Sequence, residues 1–215
     1  MNGPRTGDDR DAVAHALTEA LLPARGADPI DRIVHSTLEV LAEEGTAAVD
    51  FETVAKAAGV SPGLLETQFA DTDDLIRVAF ERTGEGLREV VQSAGAPEDA
   101  VHLILPALAV HSPYARAFAR VVLDGYGLDT VQRSFPLAQH LVAALSAQRD
   151  EQGAGPVDPR VAAAAIVCLS LSWHFNGDFL TRAYGFDELD EVQVRRQLST
   201  TLEAMVGLVT GPRLQ

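Results

Sequence analysis

Between Asp50 and Leu75 the chain reads DFETVAKAAGVSPGLLETQFADTDDL, with polar groups at Lys56, Ser61, Glu66, Thr67, Gln68 and Thr72. Hydroxyls, an amide and an ammonium at this spacing suit hydrogen bonding to phosphate oxygens and base edges. The apolar residues decide which elements present them. Phe51, Val54, Ala55 and Ala58 recur at helical spacing behind Asp50, a helix-capping residue. Gly59 supplies a turn, Ser61 caps a second short helix, and Pro62 suits its first position. Leu65 and Phe69 then face the same small core. Two short helices around a glycine turn form a helix-turn-helix pattern. Its candidate DNA contacts are Lys56, Ser61, Pro62, Gly63, Leu64, Glu66, Thr67, Gln68 and Thr72.

Other chemistry finds little support. The histidines at 15, 35, 102, 111, 140 and 174 show neither HxxxH nor HExxH spacing, and Cys168 is the single cysteine. A zinc site or an intrachain disulfide is therefore not expected. The sequence shows no strand pattern that could precede a glycine-rich phosphate loop, and no catalytic carboxylate pair stands out from the acidic surface. Neither an enzyme nor a cofactor is expected. No apolar run reaches the length of a membrane span, and the acidic N-terminus lacks a signal pattern, so a cytoplasmic protein is expected.

The elements around the motif all read as helices. Residues 1–27 form an extension, disordered to Gly7, with a possible amphipathic helix over 8–22 carrying Val13, Ala16, Leu17, Ala20 and Leu21. Ile30, Ile33, Val34, Thr37, Leu38 and Leu41 mark one helix stripe that ends at Gly45. A long helix starts at Asp71 and ends near Gly95. Pro106 is expected to kink or divide the next segment. Further helices are expected over 113–124, 135–151, 158–182 and 188–208. The fold class is all-α. The domain boundaries fall at 28–95 for the helix-turn-helix domain and 96–215 for a larger helical domain.

VAKAAGVSPGLLETQF followed by DTDDL resembles the DNA-binding domain of the TetR family of bacterial transcriptional regulators. HSPYARAFARVVLDG is similar, more weakly, to part of the family's C-terminal domain. The resemblance implies a homodimer, operator DNA as partner, a small-molecule pocket in each C-terminal domain and a two-helix dimer seam. It also exposes departures. The family usually has a hydroxyl at Asp50, often a base at Glu52, Tyr at Glu66, His or Tyr at Gln68, and Lys at Thr72.

Charge runs against DNA. The chain carries a formal −14, and eleven acidic residues face three basic ones between Asp28 and Phe80. A carboxylate about 6 Å from a phosphate costs roughly 0.7 kcal/mol in water and about 3 kcal/mol at an effective dielectric near 20. Binding that rests on neutralising phosphates has few cations here, Lys56 among them.

For the implied pocket the candidates are Tyr114, Phe118, Tyr126, Phe135, His140, Cys168, Trp173, His174 and Phe179, aromatic or polar groups among apolar helices. The scarcity of bases there favours a neutral or apolar ligand. Ala162 to Ala165, Ser170 and Ser172, with Leu198, Leu202, Met205 and Val206, are expected at the seam. Two readings stand. One is a ligand-controlled regulator that binds DNA. The other is a protein of the same fold without DNA affinity, acting through ligand binding or a basic protein partner.

Overall fold

The computed structural model describes residues 28–127 and 131–210. The expected helix over 8–22 lies outside them. Nine α-helices occur among the described residues: α1 Pro29–Glu44, α2 Phe51–Ala58, α3 Pro62–Gln68, α4 Thr72–Gln92, α5 Pro97–Val110, α6 Ser112–Leu123, α7 Pro136–Gln152, α8 Pro159–Tyr184 and α9 Glu191–Gly207. Short 3-10 turns follow α1 at Thr46–Ala48 and α8 at Phe186–Glu188. No strand is present among the described residues, only an isolated bridge between Ala154 and Thr210. The all-α expectation agrees with this.

Two compact units share the chain. One holds α1 to α3, α4 as far as Gly86, and α6 with the chain to Pro136. The other holds α4 from Leu87, then α5, and α7 to α9. Compactness thus does not follow the 95/96 boundary: α6 packs extensively on α1.

In the first unit the buried residues are those the helical stripes single out. Ile33, Leu38 and Leu41 of α1, Val54, Ala55 and Ala58 of α2, Leu65 of α3, and Leu75, Ala79 and Phe80 of α4 are all buried, with α1 packed on α2 and α2 on α3. Phe80 sets its ring edge-on against Tyr114 at 5.4 Å and Phe118 at 6.3 Å, which fastens α6 to α4.

In the second unit α5 packs against α8 and α9. Ala100 to Ala107 and Leu108 are buried nearly all round the helix. Pro106 sits inside α5 without dividing it. The connection to α8 is fastened to the far end of α9, where Gly155 N–H donates to Val209 O at 2.9 Å and Val157 N–H to Leu208 O at 3.1 Å. A Cβ on Gly155 would collide with the backbone oxygens of Thr210 and Leu208. Gly155→Ala is therefore expected to lower unfolding stability by about 1–3 kcal/mol, read as a shifted urea midpoint.

Several residues expected at the seam are core residues of this unit. Ala162, Ala163, Ser170, Leu202 and Val206 are all buried among its own helices. Small side chains bring α8 close to its neighbours within the unit. The exposed face of α8 instead carries Val161, Ala164, Cys168, Phe175 and Phe179.

Candidate nucleic-acid interface

The turn between α2 and α3 is set by backbone geometry. Gly59 takes φ 66° and ψ 39°, the left-handed region that favours glycine. Its N–H reaches Lys56 O at 3.4 Å, and Val60 N–H reaches Ala55 O at 3.0 Å, a Schellman closure of α2. Arg32 Nε donates to Ala58 O at 3.1 Å and ties α1 to the same turn.

Helix α3 buries one side chain, Leu65, which is 0% exposed, and turns the rest outward. Ser61, Pro62, Gly63, Glu66, Thr67 and Gln68 are exposed, Leu64 is half-buried, and Phe69 closes the core behind them. Lys56 is exposed at the end of α2, and Thr72 is half-buried as the first residue of α4. One continuous outward surface on α3 results, the geometry a recognition helix needs.

Ser61 stands at the N-cap position, but its side chain makes no capping bond. Leu64 N–H goes to the Ser61 carbonyl at 3.0 Å, because the first turn is tight. The hydroxyl is thus not consumed by the cap. Thr67 Oγ1 donates to Leu64 O at 2.8 Å, which leaves its lone pairs outward as acceptors.

Most of the acids in this unit have local structural partners. Asp28 accepts from Ile30 N–H at 3.0 Å, and Asp50 accepts from Thr53 N–H at 2.7 Å. Asp71 Oδ1 accepts from Asp74 N–H at 2.8 Å, while Asp74 Oδ2 accepts from Ala70 N–H at 3.1 Å. Asp31 pairs with Arg82 at 2.8 Å, and Asp74 also pairs with Arg77. Asp73 accepts the Tyr126 hydroxyl. Helix N-termini select these carboxylates, since free N–H groups and the helix dipole favour negative charge there. Glu52 and Glu66 differ: both are exposed, and among the described residues neither carboxylate is held by a cation.

The caps set a pH dependence. The Thr53 N–H and hydroxyl hold the Asp50 carboxyl below its ordinary value, and the Ala70 N–H and then Arg77 do the same for Asp74. The Thr46 N–H and hydroxyl, with Arg120, likewise depress Asp124. A depressed carboxylate stabilises the fold above its unfolded value and loses that contribution as pH falls through the folded value. Stability should therefore fall below about pH 4, and Asp74→Asn should flatten that acid limb in urea midpoints taken between about pH 3 and 7.

The candidate pocket residues divide between the units. Tyr114, Phe118, Tyr126 and Phe135 lie in the first, and His140, Cys168, Trp173, His174 and Phe179 in the second. Tyr114 and Phe118 do share a face, against Phe80. Burial pushes the Tyr114 hydroxyl up to about 12, with Gln132 as its hydrogen-bond partner. The Asp73 carboxylate pushes Tyr126 up to about 12, so Tyr126 anchors the chain after α6 to the start of α4. Phe135, Cys168 and Phe179 are exposed, and His140 and Trp173 are half-buried. His174 Nε2 lies 3.1 Å from Leu105 O. A carbonyl only accepts, so Nε2 carries the proton; burial lowers the ring's affinity for a second one.

Links between distant segments escaped the sequence reading. Asp124 Oδ2 accepts both the N–H and the hydroxyl of Thr46 at 3.0 Å, which fixes the end of α6 to the α1–α2 connection. Neither Thr46 nor Asp124 carries a pattern that announces a partner so far along the chain.

Residues 33–79 match the model of the bacterial regulatory proteins of the tetR family, a span that covers the helix-turn-helix and its outward α3 surface. This part of the chain has the DNA-binding domain of the TetR family. It is 28% identical over 163 residues to the HTH-type transcriptional repressor Rv3405c of Mycobacterium tuberculosis, across 76% of this chain and 81% of that protein. A regulatory protein of the tetR family from Rhodococcus RHA1 has the same fold, with a TM-score of 0.58, 15% identity and coverage of 86% and 99% of the two chains. So does the transcriptional regulator FadR from Bacillus subtilis, solved in complex with stearoyl-CoA, with a TM-score of 0.54, 18% identity and coverage of 82% and 96%. A TetR-family helix-turn-helix is thus present in this chain, as in these transcriptional regulators. No described helix is long and apolar enough to cross a membrane.

Proposed function

We propose that this TetR-family regulator is a ligand-responsive homodimer that reads operator DNA with α3, through a contact surface poor in cations. The observation that carries the reading is α3 itself, which buries Leu65 and exposes Ser61, Pro62, Gly63, Glu66, Thr67 and Gln68. Lys56, Ser61, Gln68 and Thr72 supply the side-chain donors, backbone N–H groups at the start of α3 supply the rest, and Thr67, whose hydroxyl donates to Leu64 O, offers an acceptor. The second copy is expected on the face of α8 that carries Val161, Phe175 and Phe179, exposed by 61%, 42% and 68%. Apolar groups at this spacing on one helix face are stabilised by burial against a partner.

Ligand responsiveness rests on the kinship with regulators of this architecture, of which FadR is solved with an acyl-CoA. In this reading the helical domain, residues 96–215, takes a small ligand with an apolar body. Its candidate contacts in α7 and α8 are His140, Trp173 and His174, since Cys168 and Phe179 lie on the exposed α8 face given to the second copy. Tyr114 and Phe118 stand against α4, where a change in α6 alters the footing of α3 through the Asp124–Thr46 and Tyr126–Asp73 links. Ligand binding changes the spacing of the two recognition helices and weakens the operator complex.

Glu52 and Glu66 favour a second reading, in which the fold is kept and DNA affinity is lost to ligand binding or to a basic protein partner. One experiment separates the two: retention of fragmented DNA from the source genome on purified protein at about 50 and 200 mM salt, followed by sequencing. A palindromic site enriched at low salt and weakened at high salt supports operator binding. A folded dimer that enriches nothing overturns it in favour of the second reading.

A further inference from the structure

The second unit holds a polar cluster at the edge of an apolar packing layer, with the Glu203 side chain 42% exposed and Glu98 half-buried. His102 stands on α5 in the run from Ala100 to Leu108, and its side chain is 11% exposed. Its Nε2 has no hydrogen-bond partner and lies 3.5 Å from Glu203 Oε2 on α9. One helical turn earlier on α5, Glu98 accepts the Gln148 amide N–H from α7. Gln148 is 7% exposed, and its Oε1 is also buried without a partner. Pro106, four residues after His102, offers no N–H to the His102 carbonyl, which adds a further acceptor without its helix donor.

Each unpartnered buried atom costs stability, commonly about 1–3 kcal/mol. Two within one cluster call for an occupant. The chemistry of the groups states what it must be. Gln148 Oε1 only accepts, the carboxylates of Glu98 and Glu203 only accept, and a neutral imidazole accepts at Nε2 when its proton is on Nδ1. An occupant must donate several hydrogen bonds, and two carboxylates favour one that is positive. A carboxylate or phosphate ligand meets acceptors on three helices. A divalent metal is not favoured, since no group of three suitable side chains converges among the described residues.

We propose that Glu98, His102, Gln148 and Glu203 receive the protonated amino group of a small organic cation. The inference rests on the ligand-responsive reading and names its ligand class. It replaces the neutral ligand expected from the scarcity of bases with one carrying a single cationic head. Amine binding then draws α5, α7 and α9 onto one ligand, and α9 carries the response within this unit.

The test is calorimetric titration of the full chain, without DNA, with hexylammonium chloride, 1-hexanol and sodium hexanoate at about pH 7.5, where the amine is charged. The expected result is saturable binding of hexylammonium at least tenfold tighter than that of hexanol or hexanoate. Glu98→Gln, which keeps the volume and removes one charge, should weaken the amine at least threefold and leave hexanol unchanged. His102→Leu with Gln148→Leu should weaken the amine at least tenfold. The melting temperature of that double variant without ligand should equal or exceed wild type, because two unpartnered polar groups are gone. Equal binding of amine and hexanol, equal binding by wild type and both variants, or no binding of any probe overturns the proposal. The readout contains no DNA, so failure here leaves the operator-retention experiment untouched, and the reverse holds as well.

Discussion

Phe80→Ala should lower the unfolding free energy of the helix-turn-helix unit by about 3–5 kcal/mol, the largest loss expected from a single side chain in that unit. Phe80 is 0% exposed and is one of the largest side chains buried in that unit. It meets the edge-on rings of Tyr114 and Phe118 on α6. Truncation removes the transfer energy of a whole ring and opens a cavity that the surrounding helices close only in part. Two aromatic contacts go with it, each worth roughly 0.5–1.5 kcal/mol beyond area. Urea unfolding followed by circular dichroism reads the change directly. A loss under about 1 kcal/mol would show that α6 does not depend on this ring.

The second large effect concerns DNA. Glu66→Tyr combined with Thr72→Lys should raise nonspecific DNA affinity at least tenfold at low salt, about 1.4 kcal/mol. Glu66 is exposed on α3 and Thr72 opens α4, so the pair alters charge at two points of the outward surface. One negative charge leaves and one positive charge enters each subunit, and each cation placed at a phosphate releases a counterion. The gain should therefore shrink as salt rises, with a steeper dependence than wild type. Fluorescence anisotropy with a random duplex at several salt concentrations measures both. An unchanged affinity with an unchanged helical spectrum would remove these two positions from the phosphate-facing surface.

The caps refine the charge argument that motivates this variant. Asp28, Asp50, Asp71 and Asp74 accept backbone N–H groups at helix starts, and Asp31 and Asp73 bind Arg82 and Tyr126. Their negative charge remains, but N–H dipoles and guanidinium groups offset part of it. In the proposed reading, the charges set most directly against DNA are then Glu52 and Glu66, which lack such partners among the described residues.

Local physics made the helices legible. Apolar spacing in α1, α2 and α4, capping carboxylates, and prolines at helix starts act within a few residues, so they can be read from the chain in order. The expected spans 113–124, 135–151 and 158–182 sit within about two residues of α6, α7 and α8. The helix-turn-helix was legible for the same reason: Gly59, Ser61 and Leu65 define it without help from elsewhere.

What the sequence could not assign was which apolar face meets which. Ala162, Ala163, Ser170, Leu202 and Val206 have the composition of a seam, yet they are buried within their own unit, while Val161 and Phe179 are exposed. A small or apolar residue is favoured equally by either kind of burial, so composition does not choose between them. Tyr126 met Asp73, Asp124 met Thr46, and His102 came to lie beside Glu203 across intervals of 53, 78 and 101 residues. The sequence by itself determined the helices, their caps and the DNA-reading motif, because those follow from neighbours along the chain. Only the tertiary structure decided how α6 is fastened to that motif and where polar groups remain unpartnered, because both depend on which distant side chains are packed together.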